Sequence, residues 1–173
     1  PMTAPDVPIL PIRPLDKSAF AAFGEVIEIA GATEIPINQG TTTRYDSLAG
    51  VDVAAEGGVP HLSIFRGTRG SVPIEVHLME RHPLGSQAFM PLQTHDWLVV
   101  VADGNKTGDA PDFSSLVCFR ARGDQGVSYH RGVWHHPLLI LMPEQDFLIV
   151  DRKGDGHNLD EVWHDGPAAL IQT

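Results

Sequence analysis

The sequence predicts an all-β fold of the sandwich or barrel type. Three observations carry this. Short runs rich in Val, Ile, Leu and Phe recur along most of the chain, Gly- and Pro-containing groups separate them, and only one short stretch carries helix punctuation. The 173 residues suit a single domain with a substantial core, residues 1–173, and are too few for two ordinary ones.

In chain order, Asp16 and Gly24 bracket a short helical stretch ending at Phe20 to Phe23, with Asp16 as cap and Gly24 as stop. Strands are expected at Glu25 to Ile29, His61 to Phe65, Pro73 to Leu78, Asp96 to Ala102, Ser115 to Phe119, Pro137 to Met142 and Asp146 to Val150. Gly57-Gly58, Gly67 to Gly70, Asp103-Gly104-Asn105, Gly123-Asp124 and Pro143-Glu144 supply the turns between them. The polar stretch Ala102 to Asp112 reads as an exposed loop. The tail Gly156 to Thr173 has no clear period and is expected to pack over the barrel or against a second subunit.

Composition narrows the function classes. A formal charge of −10 argues against nucleic acid and anionic membranes as partners, both of which need a basic face. An anionic substrate would have to meet local Arg or His. No apolar run approaches membrane-spanning length, and the proline-rich start Pro1 to Pro14 lacks the basic and apolar regions of a signal peptide, so a cytoplasmic location is expected. The single cysteine, Cys118, sits in the apolar run Leu116 to Phe119 and reads as a buried small hydrophobe.

Two segments carry the chemistry: Glu80 to Pro91, ERHPLGSQAFMP, and Gly126 to Pro137, GVSYHRGVWHHP. Glu80 and His82 are two apart and share a strand face, while Pro83 and Gly85 make a turn that returns Gln87 towards them. His135 arrives from a distant strand. Such a set of nitrogen and oxygen donors suits a divalent ion. The spacings resemble the two-part site of the cupin barrels, His-x-His, four residues, Glu, and then Pro-x-Gly-x-x-His. Glu80, His82 and Gln87 fill the first half, and His130, Gly132 and His135 the second, with His130 in the proline's place. The fold expected on this resemblance is a cupin-like double-stranded β-barrel, jelly-roll in type, with a few short helices.

Together with Ile37 to Tyr45, INQGTTTRY, and Asp146 to Arg152, DFLIVDR, these segments resemble the ureidoglycolate lyase family, formerly called ureidoglycolate hydrolase, over most of the chain. The resemblance implies a cupin-like homodimer that splits (S)-ureidoglycolate into glyoxylate and urea late in allantoin catabolism, with a divalent metal, commonly nickel. Its motifs hold Glu80, His82, Gln87, His130, His135 and His136, and also Asn38, Arg44, Tyr45 and Arg152.

The substrate is a carbinolamide, so the site must hold a carboxylate, accept a hydroxyl proton and protonate the departing nitrogen. Glu80, His82, Gln87 and His135 are assigned to the metal or polar centre. His130 is the preferred acid or base, with His82 and His135, because imidazole titrates near working pH. His136 should face away from its neighbour His135 if they share a strand, and with Gln87 it is also a candidate for substrate binding. Arg44 and Arg152 are candidates for gripping the carboxylate, the alternative for Arg152 being a surface ion pair with Asp151 or Asp155. Asn38 and Tyr45 are candidates for the ureido group, although Asn38 can equally shape a turn. Trp134, Phe89 and Met90 read as barrel core. An amide at position 87 weakens metal binding, so a metal-free site of His and Arg is the alternative. Two other functions compete: hydrolysis to ammonia and carbon dioxide, and a non-catalytic cupin that binds a small acid. The second lacks the DNA-binding or signalling partner domain that such a sensor needs.

Overall fold

Paired β-strands are the main regular element of the chain. A computed structural model describes residues 6–173; the first five residues, part of the proline-rich start, lie outside it. In chain order its elements are β1 (Ile12–Pro14), α1 (Lys17–Phe20), β2 (Gly24–Ile27), β3 (Thr33–Ile37), β4 (Thr42–Asp46), β5 (Val59–Thr68), β6 (Ile74–Val76), β7 (Leu78–Arg81) and β8 (Gln87–Pro91). They continue as β9 (Trp97–Ala102), β10 (Val117–Ala121), β11 (Gly126–Tyr129), β12 (Trp134–His135), β13 (Leu139–Ile140), β14 (Glu144–Lys153), β15 (Asp160–Trp163) and β16 (Ala169–Ile171). One sheet runs β1-β10-β9-β12-β7-β15, with β13 also on β9, and the other runs β2-β11-β8-β14-β5. The all-β class expected from the sequence is the one observed. The two sheets face each other as layers.

Strand β9 shows how the layers are filled, because all six of its residues are buried. Trp97, Val99 and Val101 point between the sheets, where they meet Phe89, Phe147 and Ile149. Leu98, Val100 and Ala102 point the other way, to a second core with Val76, Met79, Cys118 and Trp134. Period-two alternation therefore feeds two cores from one strand. Trp97 is anchored by its indole N–H on the carbonyl of Gln125 at 3.0 Å, and its ring packs edge-on against Phe147. Truncating such a residue to alanine costs about 3–5 kcal/mol.

Most of the expected elements are present with shifted ends. Asp16 caps α1 through a bond from the Ala19 N–H at 2.8 Å, but the helix covers Lys17–Phe20 and gives way to a turn before Gly24. Gly24 has a second reason to be glycine: it pairs with Tyr129 of β11, and a Cβ there would sit 2.0 Å from the Ser128 carbonyl oxygen. The tail packs over the barrel, with β15 paired to β7 and β16 to β6. Cys118 is buried, and burial pushes its thiol pKa up to about 12, which suits a hydrophobe and not a nucleophile. Met90 corrects the expectation of core. It is half-buried and lies opposite Leu148 on the outward face of its sheet, because Phe89 takes the inward position.

The segment 33–46 forms a hairpin, β3 paired with β4, that belongs to neither large sheet. Its Ile35 and Ile37 side chains are exposed.

Candidate active site

The cluster lies between the sheets, and both layers contribute to it. Strand β7 carries Glu80, with His82 just past its end, and β12 carries His135 directly opposite Glu80 in register. Met79 and Arg81 take the outward positions, Met79 in the outer core and Arg81 with its guanidinium 4.5 Å from the Trp134 ring centre. The ligand atoms of Glu80, His82 and His135 all lie within 4.8 Å of one another. Gln87 arrives at the start of β8, in the opposite sheet. The turn through Pro83 and Gly85 is therefore a crossing between layers and not a hairpin within one.

Hydrogen bonds to backbone carbonyls fix both imidazoles. His82 Nδ1 lies 2.9 Å from the Asn158 carbonyl and His135 Nδ1 lies 3.0 Å from that of Val133. A carbonyl only accepts, so each Nδ1 carries a proton and each Nε2 is the ring nitrogen left for the cluster. Those two Nε2 atoms are buried and lack hydrogen-bond partners, as does the side-chain oxygen of Gln87. Polar atoms without partners are costly inside a protein, and three in this region are available to an ion or a ligand. Gln87 is oriented by Asp151, whose carboxylate accepts from its amide nitrogen at 3.1 Å. His135 is clamped further by Tyr129, which stacks on it at 4.1 Å and 9° between planes.

Charge is tuned in the same sense. Burial pulls the His82 pKa below its ordinary value, with the charge of His135 adding to this, so His82 is neutral at working pH. Burial pushes the Glu80 carboxyl up, but the contact with His135 and the nearby imidazoles outweigh it and hold the group below the usual carboxylate range. Glu80 Oε1 lies 3.5 Å from His135 Nε2, a distance for charge attraction and too long for a strong hydrogen bond. One imidazole Nε2 from each histidine and one ionised carboxylate are a donor set that fits a divalent ion.

The remaining expected site residues are dispersed. His136 turns away from His135 into a cleft with His77 and Arg69, its Nδ1 2.8 Å from the Pro137 carbonyl, and burial lowers its pKa. His130 is exposed in a cleft with Glu25, Asp52, Ser128 and Arg131, on the far side of β11 from the cluster. Asn38, Arg44 and Tyr45 sit on or beside the β3–β4 hairpin. Asn38 has φ 51° in the turn and bonds to Thr42, and Arg44 pairs with Asp46 at 2.7 Å. Arg152 is 8% exposed and its side chain bonds to backbone carbonyls, not to the carboxylates of Asp151 or Asp155. Its guanidinium donates to the carbonyls of Ala55, Glu56, Gly154 and Asp155, tying two loops together.

Tyr129, Asp151 and Asn158 escaped the sequence reading. Tyr129 had a usable signal, since it alternates with His130 on one strand and only one of the two can face inward. Asn158 had none. It lies in the tail, yet its carbonyl holds His82 and its side chain accepts from the Leu84 N–H at 2.8 Å. The His82 carbonyl in turn accepts from Gly132, whose φ of 76° favours glycine, and this joins the two motif segments directly.

Two facing β-sheets with a His and carboxylate cluster between them define a cupin-like enzyme scaffold. Comparison with known proteins then narrows the class: a family model described as Ureidoglycolate lyase matches residues 7–171. A Burkholderia mallei protein named ureidoglycolate lyase is 54% identical over 152 residues, covering 88% of this chain and 87% of its own. Proteins of the same name from Pseudomonas putida (50% over 162 residues, 94% and 95% covered) and Stutzerimonas stutzeri (51% over 154 residues, 89% of each) are also similar. The chain belongs to the ureidoglycolate lyase family.

Proposed function

We propose that this chain cleaves (S)-ureidoglycolate to glyoxylate and urea at the Glu80–His82–His135 cluster, as a step of allantoin breakdown. The observation that carries the reading is the buried cluster itself, with two orphaned Nε2 atoms facing one ionised carboxylate. Family membership supplies the substrate.

The reaction moves one proton. The hydroxyl loses it, the carbon–nitrogen bond breaks as the aldehyde forms, and the departing ureido nitrogen gains it. A single shuttle is therefore sufficient. Glu80, held ionised, takes the hydroxyl proton and returns it to the nitrogen. The Nε2 atoms of His82 and His135, with the Gln87 oxygen, would hold a divalent ion beside Glu80, nickel being the metal the family resemblance implies. A bound ion would acidify the hydroxyl and fix its geometry. Tyr129 keeps His135 in place and excludes water from one side; burial pushes its phenol pKa up, so it stays neutral.

Among the described residues no helix is long and apolar enough to cross a membrane. We place the protein in the cytoplasm and assign it a homodimeric state. The support for dimerisation is the apolar outward face of β5, where Leu62 is 70% and Ile64 64% exposed.

The test is product analysis on both enantiomers in the absence of urease. Equal urea and glyoxylate from the (S) form support a lyase. Ammonia without urea would make it a hydrolase, and binding without turnover would leave a small-acid-binding cupin.

A further inference from the structure

The inward face of β5 is uncovered at the edge of its sheet, and among the described residues no free arginine stands beside it. Register puts His61, Ser63 and Phe65 on the inward face of β5, opposite Asp151, Ile149 and Phe147. Ile149 and Phe147 are fully buried, whereas His61, Ser63 and Phe65 are exposed, so the inward face of the sheet is uncovered at this edge. Among the described residues the other edge of β5 pairs with no strand over its ten residues. Among the described residues the nearby arginines are committed elsewhere: Arg81 to Asp160 and Gly108, Arg152 to backbone carbonyls, and Arg131 to the cleft on the outer side, 3.9 Å from Asp52. A substrate carboxylate entering a chain of charge −10 has no arginine to meet there.

The β3–β4 hairpin is the complementary part. An isolated two-stranded hairpin is marginal in water, so this one requires a surface to rest on. Register places Ile35, Ile37, Thr42 and Arg44 on one face of it, apolar side chains beside a cation. Arg44 has as its partner one partly exposed carboxylate, Asp46, a weak and separable pair. The hairpin is rooted at the β2 edge, where Thr33 and Asp46 line a cleft with Gly24 and Glu25. In sheet order β2 and β5 are opposite edges, four strand spacings or roughly 19 Å apart. The hairpin of one chain is therefore on the wrong side of the sheet to cover its own β5.

A second copy removes the mismatch. The outward face is apolar over three of its five strands, with Leu62 and Ile64 of β5 beside Val150 and Leu148 of β14 and Ala88 and Met90 of β8, and becomes mixed towards β2, where Ser128 and Glu25 accompany Ile27. Packing this face on itself about a dyad running along the strands sets the β2 edge of each copy against the β5 edge of the other. We infer that the β3–β4 hairpin of one copy lies along the β5 edge of its partner and delivers Arg44 to the partner's cavity, where the guanidinium grips the substrate carboxylate. Ile35 and Ile37 then cover Phe65, and the open edge of β5 gains a strand partner. This rests on the lyase reading above, and it makes each active site the joint product of two chains.

Paired inactive variants test it. Arg44→Ala alone should raise KM roughly 10- to 100-fold, the loss of a charge-assisted pair, with a smaller effect on kcat. His135→Ala alone should abolish turnover while leaving the hairpin intact. Differently tagged chains, one carrying Arg44→Ala and the other His135→Ala, are co-expressed and the mixed dimer is isolated through both tags. At a substrate concentration well below the raised KM, the mixed dimer is expected to regain about half of the wild-type rate, because one of its two sites combines an intact cluster with an intact partner hairpin. A mixed dimer as slow as the Arg44→Ala homodimer, or failure of the two tags to co-purify, overturns the inference. So does an Arg44→Ala chain with wild-type KM. A wild-type chain that yields no urea overturns the lyase reading, and this inference with it.

Discussion

The inter-sheet cluster and the β3–β4 hairpin hold the two halves of the chemistry, and they are built in opposite ways. Glu80 and His135 sit on strands paired within one sheet, with His82 just past the end of β7, and both imidazoles are fixed by carbonyls. Arg44, Asn38 and Tyr45 stand on a hairpin exposed on both strands, held by bonds within itself. The cluster is preorganised by the fold; the hairpin acquires its position from whatever it docks on. Substitutions should therefore act on turnover in the first region and on substrate affinity in the second.

The largest effect is expected at the centre of the cluster. Replacing His135 with alanine should lower kcat/KM on the order of 10²–10⁴-fold with the fold retained, as read from steady-state kinetics and circular dichroism. Arg44→Ala comes next, and its effect should appear in KM. If both variants lost kcat equally, the contrast between the two regions would fail. Asp151→Ala leaves Gln87 unoriented and should weaken divalent-ion affinity about 10- to 100-fold, measured by competition with a chromophoric chelator. An unchanged affinity would remove Gln87 from the ligand set.

The smallest effect is expected at His130. It lies outside the cluster, and His130→Ala should change the rate by about twofold or less. A loss as large as that of His135→Ala would restore it as the acid or base. Stability should also follow pH through the buried imidazoles. His82 and His136 have folded pKa values below 6.5, so the folded state binds fewer protons than the unfolded chain. Their contribution is complete above that value and is lost as the pH falls below it towards their folded pKa values, which a denaturant series between about pH 8 and pH 5 would register.

Much of the cluster was legible because period-two spacing is local. Glu80 and His82 two apart, and His135 against His136, follow from alternation alone. What lay beyond the sequence depends on contacts between distant segments. Nothing near Arg152 signals that loops 55–56 and 154–155 would surround it with carbonyls, nor does the tail reveal that Asn158 would lock His82. The crossing between sheets at Gln87 was hidden for the same reason, since a turn sequence specifies a reversal and not the layer that it leads to. His130 illustrates a different failure. A motif spacing places a residue along the chain, and the face it occupies is decided by Tyr129, the bulkier neighbour that fills the interior.

The most direct test of the central claim is the urea release rate before and after removal of bound metal. If the Glu80–His82–His135 cluster works through a divalent ion, chelation should abolish release and one equivalent of ion per chain should restore it, with no restoration in His135→Ala. Full activity in protein verified to be metal-free would contradict the account.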